Sequence, residues 1–187
     1  MKNVFVIHGY NGDTTETFGP YIKKECEKLK VPCFFPTFPI REEATFENWA
    51  EKMDQFLKEQ AFNEETIVIA HSLGTRFFPM YASLKHIKIH TFISIAGFLQ
   101  DHSGREDLGK VVQRFAPTQN DFDNFIHLTQ NRYAIYSDND HLNPQEELER
   151  YAEKIQAQKV FIKGMGHFGR KSGVKELPEV IKIIEEN

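Results

Sequence analysis

Short apolar runs punctuate the chain at Val4–Ile7, Cys33–Phe35, Thr66–Ala70, Thr91–Ala96, Tyr133–Tyr136 and Lys159–Ile162. They are β-branched or aromatic and nearly continuous, as strands buried on both faces of a parallel sheet are. Between them the apolar positions change to helical spacing. Phe18, Tyr21, Ile22, Cys26 and Leu29 form one stripe, and Phe46, Trp49, Ala50, Met53, Phe56 and Leu57 a second. Leu148, Tyr151, Ala152 and Ile155 form a later one, and Leu177, Val180, Ile181 and Ile184 the last. The helix of Leu148 carries a start signal, with Asn143 as N-cap, Pro144 at the first helical position and Glu146 beyond. Strand–helix alternation of this kind predicts right-handed crossovers. The expected architecture is α/β, a mostly parallel sheet of about six strands with helices on both faces. No linker interrupts it, so residues 1–187 are expected to form a single domain. One stretch, 97–130, is irregular and polar, with room for one or two short helices. It should lie over the carboxyl ends of the strands, where α/β folds bind ligands.

Composition narrows the function. With 40% hydrophobic residues in 187, a sizeable core can be buried. The balance of 23 Lys+Arg against 27 Asp+Glu, a net −4, speaks against gripping nucleic acid or an anionic membrane. Two cysteines, Cys26 and Cys33, are too few for a disulfide framework. The first apolar run is too brief for a signal-peptide core or a membrane span, so a cytoplasmic location is expected. There is no H-E-x-x-H and no Cys pair at ligand spacing, so no metal or other cofactor is expected. Gly9-Tyr10-Asn11-Gly12 lacks both phosphate-loop patterns.

Candidate chemistry sits directly after the third strand, in Ala70-His71-Ser72-Leu73-Gly74. This is a G-x-S-x-G nucleophile elbow with Ala in the first position. Such a turn holds the Ser in a strained conformation and lifts its hydroxyl over the sheet edge. Small residues two before and two after permit the close backbone approach. The following helix aims free N–H groups at developing negative charge. A plain strand-to-helix turn would instead use Ser72 as a cap.

A serine hydroxyl needs a base, and the base an orienting acid. Both appear later at strand ends, in the order Ser, acid, His. Tyr136-Ser137-Asp138-Asn139-Asp140 follows the fifth strand and Gly164-Met165-Gly166-His167-Phe168 the sixth. Asp138 and Asp140 compete. Asp140 ranks ahead because a turn ending at Pro144 places it in the loop proper, while Asp138 is suited to satisfying loop N–H groups. His167, framed by glycines, is the candidate base. His71 should point away from the nucleophile, and His8 should be a packed, hydrogen-bonded support for the first loop. The oxyanion hole needs two backbone donors. Leu73 should supply one and Tyr10 the other, with Asn11 second. Tyr10, Asn11, Phe98, Leu99 and Phe168 are the candidate pocket residues.

With these residues in place, the chain resembles the small serine hydrolases typified by retinoblastoma-binding protein nine and the YdeN-like proteins, a compact branch of the α/β-hydrolase superfamily. The resemblance covers nearly the whole chain. It rests on the glycine-containing loop after the first strand, the Ala70–Gly74 elbow, the Asp140 turn ending at Pro144 and the Gly166-His167-Phe168 loop. It implies a short sheet without a lid domain, with Ser72 as nucleophile, Asp140 as acid and His167 as base. Departures are Ala70 for the commoner Gly, His141 where the family often has Pro, and Pro79 inside the helix after the elbow, which predicts a kink. The expected activity is hydrolysis of small-molecule carboxylic esters with small acyl groups. Thioester or acyl-transfer chemistry and a non-catalytic, protein-binding use of the scaffold are the alternatives. No nucleic-acid or membrane partner is expected.

Overall fold

The computed structural model describes residues 1–12, 17–59, 62–102 and 106–187, the Glu106 side chain excepted. The strands are β1 (Asn3–Ile7), β2 (Cys33–Phe34), β3 (Thr66–His71), β4 (Ile89–Ile95), β5 (Thr129–Tyr136) and β6 (Gln158–Phe161). All pair in parallel in one sheet of order β2-β1-β3-β4-β5-β6. The helices are α1 (Gly19–Lys28), α2 (Phe46–Lys58), α3 (Gly74–Lys85), α4 (Glu106–Gln113), α5 (Gln119–Leu128), α6 (Gln145–Lys154) and α7 (Pro178–Glu186). Among the described residues no helix is long and apolar enough to cross a membrane.

The runs of β1, β3 and β4 serve two cores because successive side chains point to opposite faces, whereas at the edge strand β6 Phe161 is 48% exposed. Val4 and Val6, with Ile67, Ile69, Ile93 and Ile95, pack under α1 and α7. Phe5 and Ile7, with Val68, Ala70 and Phe92, pack under Trp49 of α2, Phe77 and Phe78 of α3 and Phe125 of α5. That is why the runs read as unbroken hydrophobics. The chain leaves β1 toward β2 on one side and continues from β3 to β6 on the other. The direction of winding therefore reverses between β1 and β3, which opens a crevice at their carboxyl ends.

Three local details bear on the expectations, and of these the cap of α6 departs from them. The stretch 97–130 contains two short helices, as there was room for. It holds α4, α5 and the first two residues of β5, and α5 is started by a capping box between Thr118 and Asp121. The N-cap of α6 is Pro144 rather than Asn143. Asn143 is otherwise engaged: its N–H bonds Asp140 Oδ1 (3.2 Å) and its amide oxygen accepts from Gln100 Nε2 (2.9 Å).

The third detail is Pro79, which stands within α3 without ending it. A proline there leaves the carbonyl four residues earlier, on Thr75, without its helical donor. The Tyr151 hydroxyl of α6 donates to that carbonyl at 2.6 Å. A side chain from another helix thus supplies the bond that the proline withholds. Tyr151→Phe should therefore destabilise the protein by about 1–3 kcal/mol in urea unfolding, the usual cost of a buried carbonyl left unpaired. In a Pro79→Ala background, where residue 79 regains its N–H, the same change should cost much less.

Candidate active site

β3 ends at the crevice, and the chain turns into α3 within two residues. Ser72 makes the turn with φ at 51°, in the left-handed region that side chains other than glycine rarely enter. Its N–H donates to Ile95 O (2.9 Å), and its carbonyl accepts from the Thr75 N–H (2.9 Å) and Thr75 Oγ1 (2.6 Å). Gly74 permits the geometry. A Cβ there would lie 2.8 Å from Ile7 Cγ2 and 3.0 Å from Ile7 O, so α3 starts in backbone contact with β1. Ala70, fully buried between Ile7 and Ser94, shows why Ala suffices in the first motif position.

Over this turn lies His167. Its Nε2 is 2.9 Å from Ser72 Oγ and its Nδ1 is 2.7 Å from Asp140 Oδ2. The carboxylate can only accept when ionised, so Nδ1 carries the proton and Nε2 faces the serine as an acceptor. The other Asp140 oxygen accepts from the N–H groups of Leu142 (2.8 Å) and Asn143 (3.2 Å). Burial pushes the Asp140 carboxyl up, but the His167 bond and charge, with those two N–H groups, hold it below the usual carboxylate range.

Asp138 occupies a different place. It is exposed, and its Oδ1 accepts from the Gly164 N–H (2.8 Å), which holds its carboxyl low. Its neighbours do likewise. Ser137 Oγ accepts from the Met165 N–H (2.8 Å) and Asn139 Oδ1 from the Gly166 N–H (2.6 Å). Three consecutive side chains after β5 thus take three consecutive N–H groups after β6. The loop bearing Asp140 and the loop bearing His167 are fastened together just before those residues.

His71 is turned from the Ser72 hydroxyl and toward the main chain of His167. Its Nε2 bonds the His167 carbonyl at 2.8 Å, with the two ring centroids 5.2 Å apart. Phe18 covers it edge-on at 5.7 Å. Burial and the neighbouring His167 push its pKa down to about 3. It is therefore neutral, and Nε2–H is the donor. Sequence reasoning placed His71 but missed this support, which no local pattern announces. His8 is a packed, buried histidine. Its Nε2 accepts from the Phe38 N–H (3.0 Å), which assigns Nδ1–H as donor to Gly9 O (2.7 Å). The loop it supports runs against Ser72, since a Cβ on Gly9 would lie 2.9 Å from Ser72 Cβ. A turn closes from Gly12 N–H to Gly9 O (2.9 Å), with Asn11 at φ 50°. Among the described residues, the backbone N–H groups of Tyr10 and Leu73 meet no acceptor.

A cavity of about 310 Å³ opens beside Ser72 and His167. Tyr10 and Asn11 line it, but Phe98, Leu99 and Phe168 do not. Phe98 is buried with the Arg76 guanidinium 5.3 Å over its ring. Leu99 is held by its backbone, its carbonyl accepting from Arg76 and its N–H donating to Glu147, each at 2.6 Å. Phe168, at φ 55°, is fully buried in the core under α1 and α7. The apolar wall is instead built by Ile7, Phe18, Leu108 and Leu142. Phe18 had read only as part of a helix stripe, and Leu108 lies in the stretch whose helices were unplaced. Among the described residues no group of three or more His, Cys, Asp or Glu is arranged to hold a metal.

A parallel sheet with this winding and a strained serine at the turn after β3 define an α/β-hydrolase. Residues 4–186 match the family described as serine hydrolase, and the chain belongs to that family. It is 25% identical to YdeN of Bacillus subtilis (strain 168), over 98% of this chain and 94% of that protein. The crystal structure of the B. subtilis ydeN gene product superposes with a TM-score of 0.85 at 23% identity, covering 100% and 98% of the two chains. A structure from work on the metagenome-derived lipolytic enzymes LipS and LipT gives 0.73 at 12% identity, covering 100% and 94%. One from work on carboxylesterases of the thaumarchaeon Nitrososphaera gargenis gives 0.71 at 13%, covering 99% and 89%.

The neutral His71 has a consequence for stability. An unfolded imidazole takes up its proton near pH 6.5, whereas this one holds off to about 3. Between those values the unfolded chain binds the extra proton. The contribution is complete above the unfolded value and is lost as pH falls toward the folded one. His71→Gln, which keeps an N–H donor, should reduce the slope of unfolding free energy with pH by about 1.4 kcal/mol per unit over that window, as measured by urea titrations.

Proposed function

We propose that the protein is an esterase that cleaves small-molecule carboxylic esters through an acyl-enzyme on Ser72. The observation that carries this is the continuous bonded line from Ser72 Oγ through the His167 ring to Asp140, with the serine held in a left-handed turn. Ser72 Oγ attacks the ester carbonyl while His167 Nε2 takes its proton. Asp140 keeps the imidazole in the required tautomer and stabilises its cation. The developing oxyanion is received by the N–H groups of Leu73 and Tyr10, neither of which has another acceptor among the described residues. His167 then protonates the departing alkoxide. Water, deprotonated by the same nitrogen, attacks the acyl carbon and returns Ser72 to its hydroxyl form. The lipolytic and carboxylesterase descriptions of the two more distant structures are in keeping with ester chemistry.

The test is labelling with a fluorophosphonate together with turnover of p-nitrophenyl esters. Wild type should be labelled and should hydrolyse short-chain esters; Ser72→Ala should do neither. A folded wild type that resists the label would leave a binding role on the hydrolase scaffold. Asp140→Asn should lower kcat by about 10⁴-fold, through loss of the productive tautomer. Asp138→Asn keeps an oxygen for Gly164 and should cost less than about tenfold, because its partner is a loop amide and not the imidazole. Equal losses in the two variants would contradict the assignment of the acid.

A further inference from the structure

Two cysteines are too few to frame a fold, but this fold brings the two together. Cys26 lies on the buried stripe of α1 with Gly19 and Ile22. Cys33 opens β2, in register with Val4 of β1. Residues in register on neighbouring parallel strands face the same way, and Val4 packs under α1. Cys33 therefore faces that helix too, and it packs into the same core as Cys26. Three main-chain bonds hold the turn between them. Lys30 N–H donates to Glu27 O (3.1 Å), Val31 N–H to Cys26 O (2.9 Å) and Val4 N–H to Pro32 O (2.8 Å), with Lys30 at φ 57°. The two thiols share a hydrogen bond, so loss of a first proton is eased and loss of the second is strongly opposed. Cys33 is only partly buried, whereas Cys26 is fully so, and a reagent from solvent meets Cys33 first.

We propose that Cys26 and Cys33 are a reversible disulfide site, oxidised by a small-molecule disulfide of the glutathione kind. Cys33 Sγ, as its thiolate, attacks one sulfur of the reagent. The reagent's S–S bond breaks, and the departing thiolate takes up the proton that Cys33 gave. Cys26 Sγ then attacks Cys33 Sγ, the mixed disulfide breaks, and the second reagent thiol leaves with the Cys26 proton. Two protein thiols are thereby oxidised to one S–S bond, and one reagent disulfide is reduced to two thiols. The bond ties the last turn of α1 to β2, a two-residue strand at the sheet edge that pairs with β1 alone. It fastens a lightly held element, and it needs none of Ser72, Asp140 or His167.

The test equilibrates the wild-type chain with mixtures of reduced and oxidised glutathione, traps free thiols and reads the intact mass. The expected product lacks two hydrogens, retains no glutathione, and returns to the dithiol with dithiothreitol. Its equilibrium constant of formation should be at least about tenfold greater in the folded protein than in urea, because the fold holds the sulfurs within reach. By the same cycle the oxidised protein should melt about 5 °C above the reduced one. Cys26→Ser should stop at a glutathione adduct on Cys33, and Cys33→Ser should take up no glutathione while folded. A wild type that keeps both thiols, or that stops at a stable adduct, overturns the proposal. So does an oxidation constant no greater in the folded protein than in urea, or an adduct on Cys26 in folded Cys33→Ser. The wild-type titration decides the matter even where a variant fails to fold.

Discussion

The close approach of β1 to the start of α3 governs this structure. Ser72 can occupy the left-handed region only because Gly74 lets the helix begin against the Ile7 backbone. A residue held there costs of order 1–3 kcal/mol, and the surroundings must over-determine it. They do so with a bond from the Ser72 N–H to β4 and two from Thr75 to its carbonyl. The hydroxyl is thereby set over the sheet edge before any partner arrives. The first loop, the imidazole and the cavity all take their positions relative to that point.

Each buried polar group of the site has a defined partner. Asp140 is buried but fully bonded, so its charge is tolerated and serves His167. His71 is kept neutral and acts as a donor. Arg76 and Glu147, both buried, grip the carbonyls and the N–H groups of residues 99 and 100 from opposite sides. That last arrangement explains why the loop after β4, expected to furnish pocket aromatics, is committed to the scaffold.

Much of the fold could be read from the residues because both faces of the sheet are buried. Runs such as Thr66–Ala70 then carry a strong signal, and β3 extends only to His71. Edges of elements were harder. Thr129–Arg132 begin β5 though they are polar, because their pairing with β4 supplies what side-chain hydrophobicity does not. The meeting of Ser72, Asp140 and His167 was legible through chain order, since strand ends converge in an α/β fold. The cavity wall was not. Phe168 looked available beside His167, but its backbone conformation sends the ring inward, and no sequence pattern reports φ. Pro79 looked disruptive because its remedy, Tyr151, lies far along the chain.

The fastening of residues 137–139 to 164–166 has an implication for how the scaffold can change. Asp140 and His167 are carried on one bracket, and Ser172 packs directly on it, since a Cβ on Gly166 would lie 2.6 Å from Ser172 Oγ. A change of length between Gly169 and Ser172 would therefore be felt at Gly166, next to the imidazole. Substitution on the outer face of that turn, as at exposed Lys171, leaves the three fastening bonds and the spacing of carboxylate and imidazole untouched.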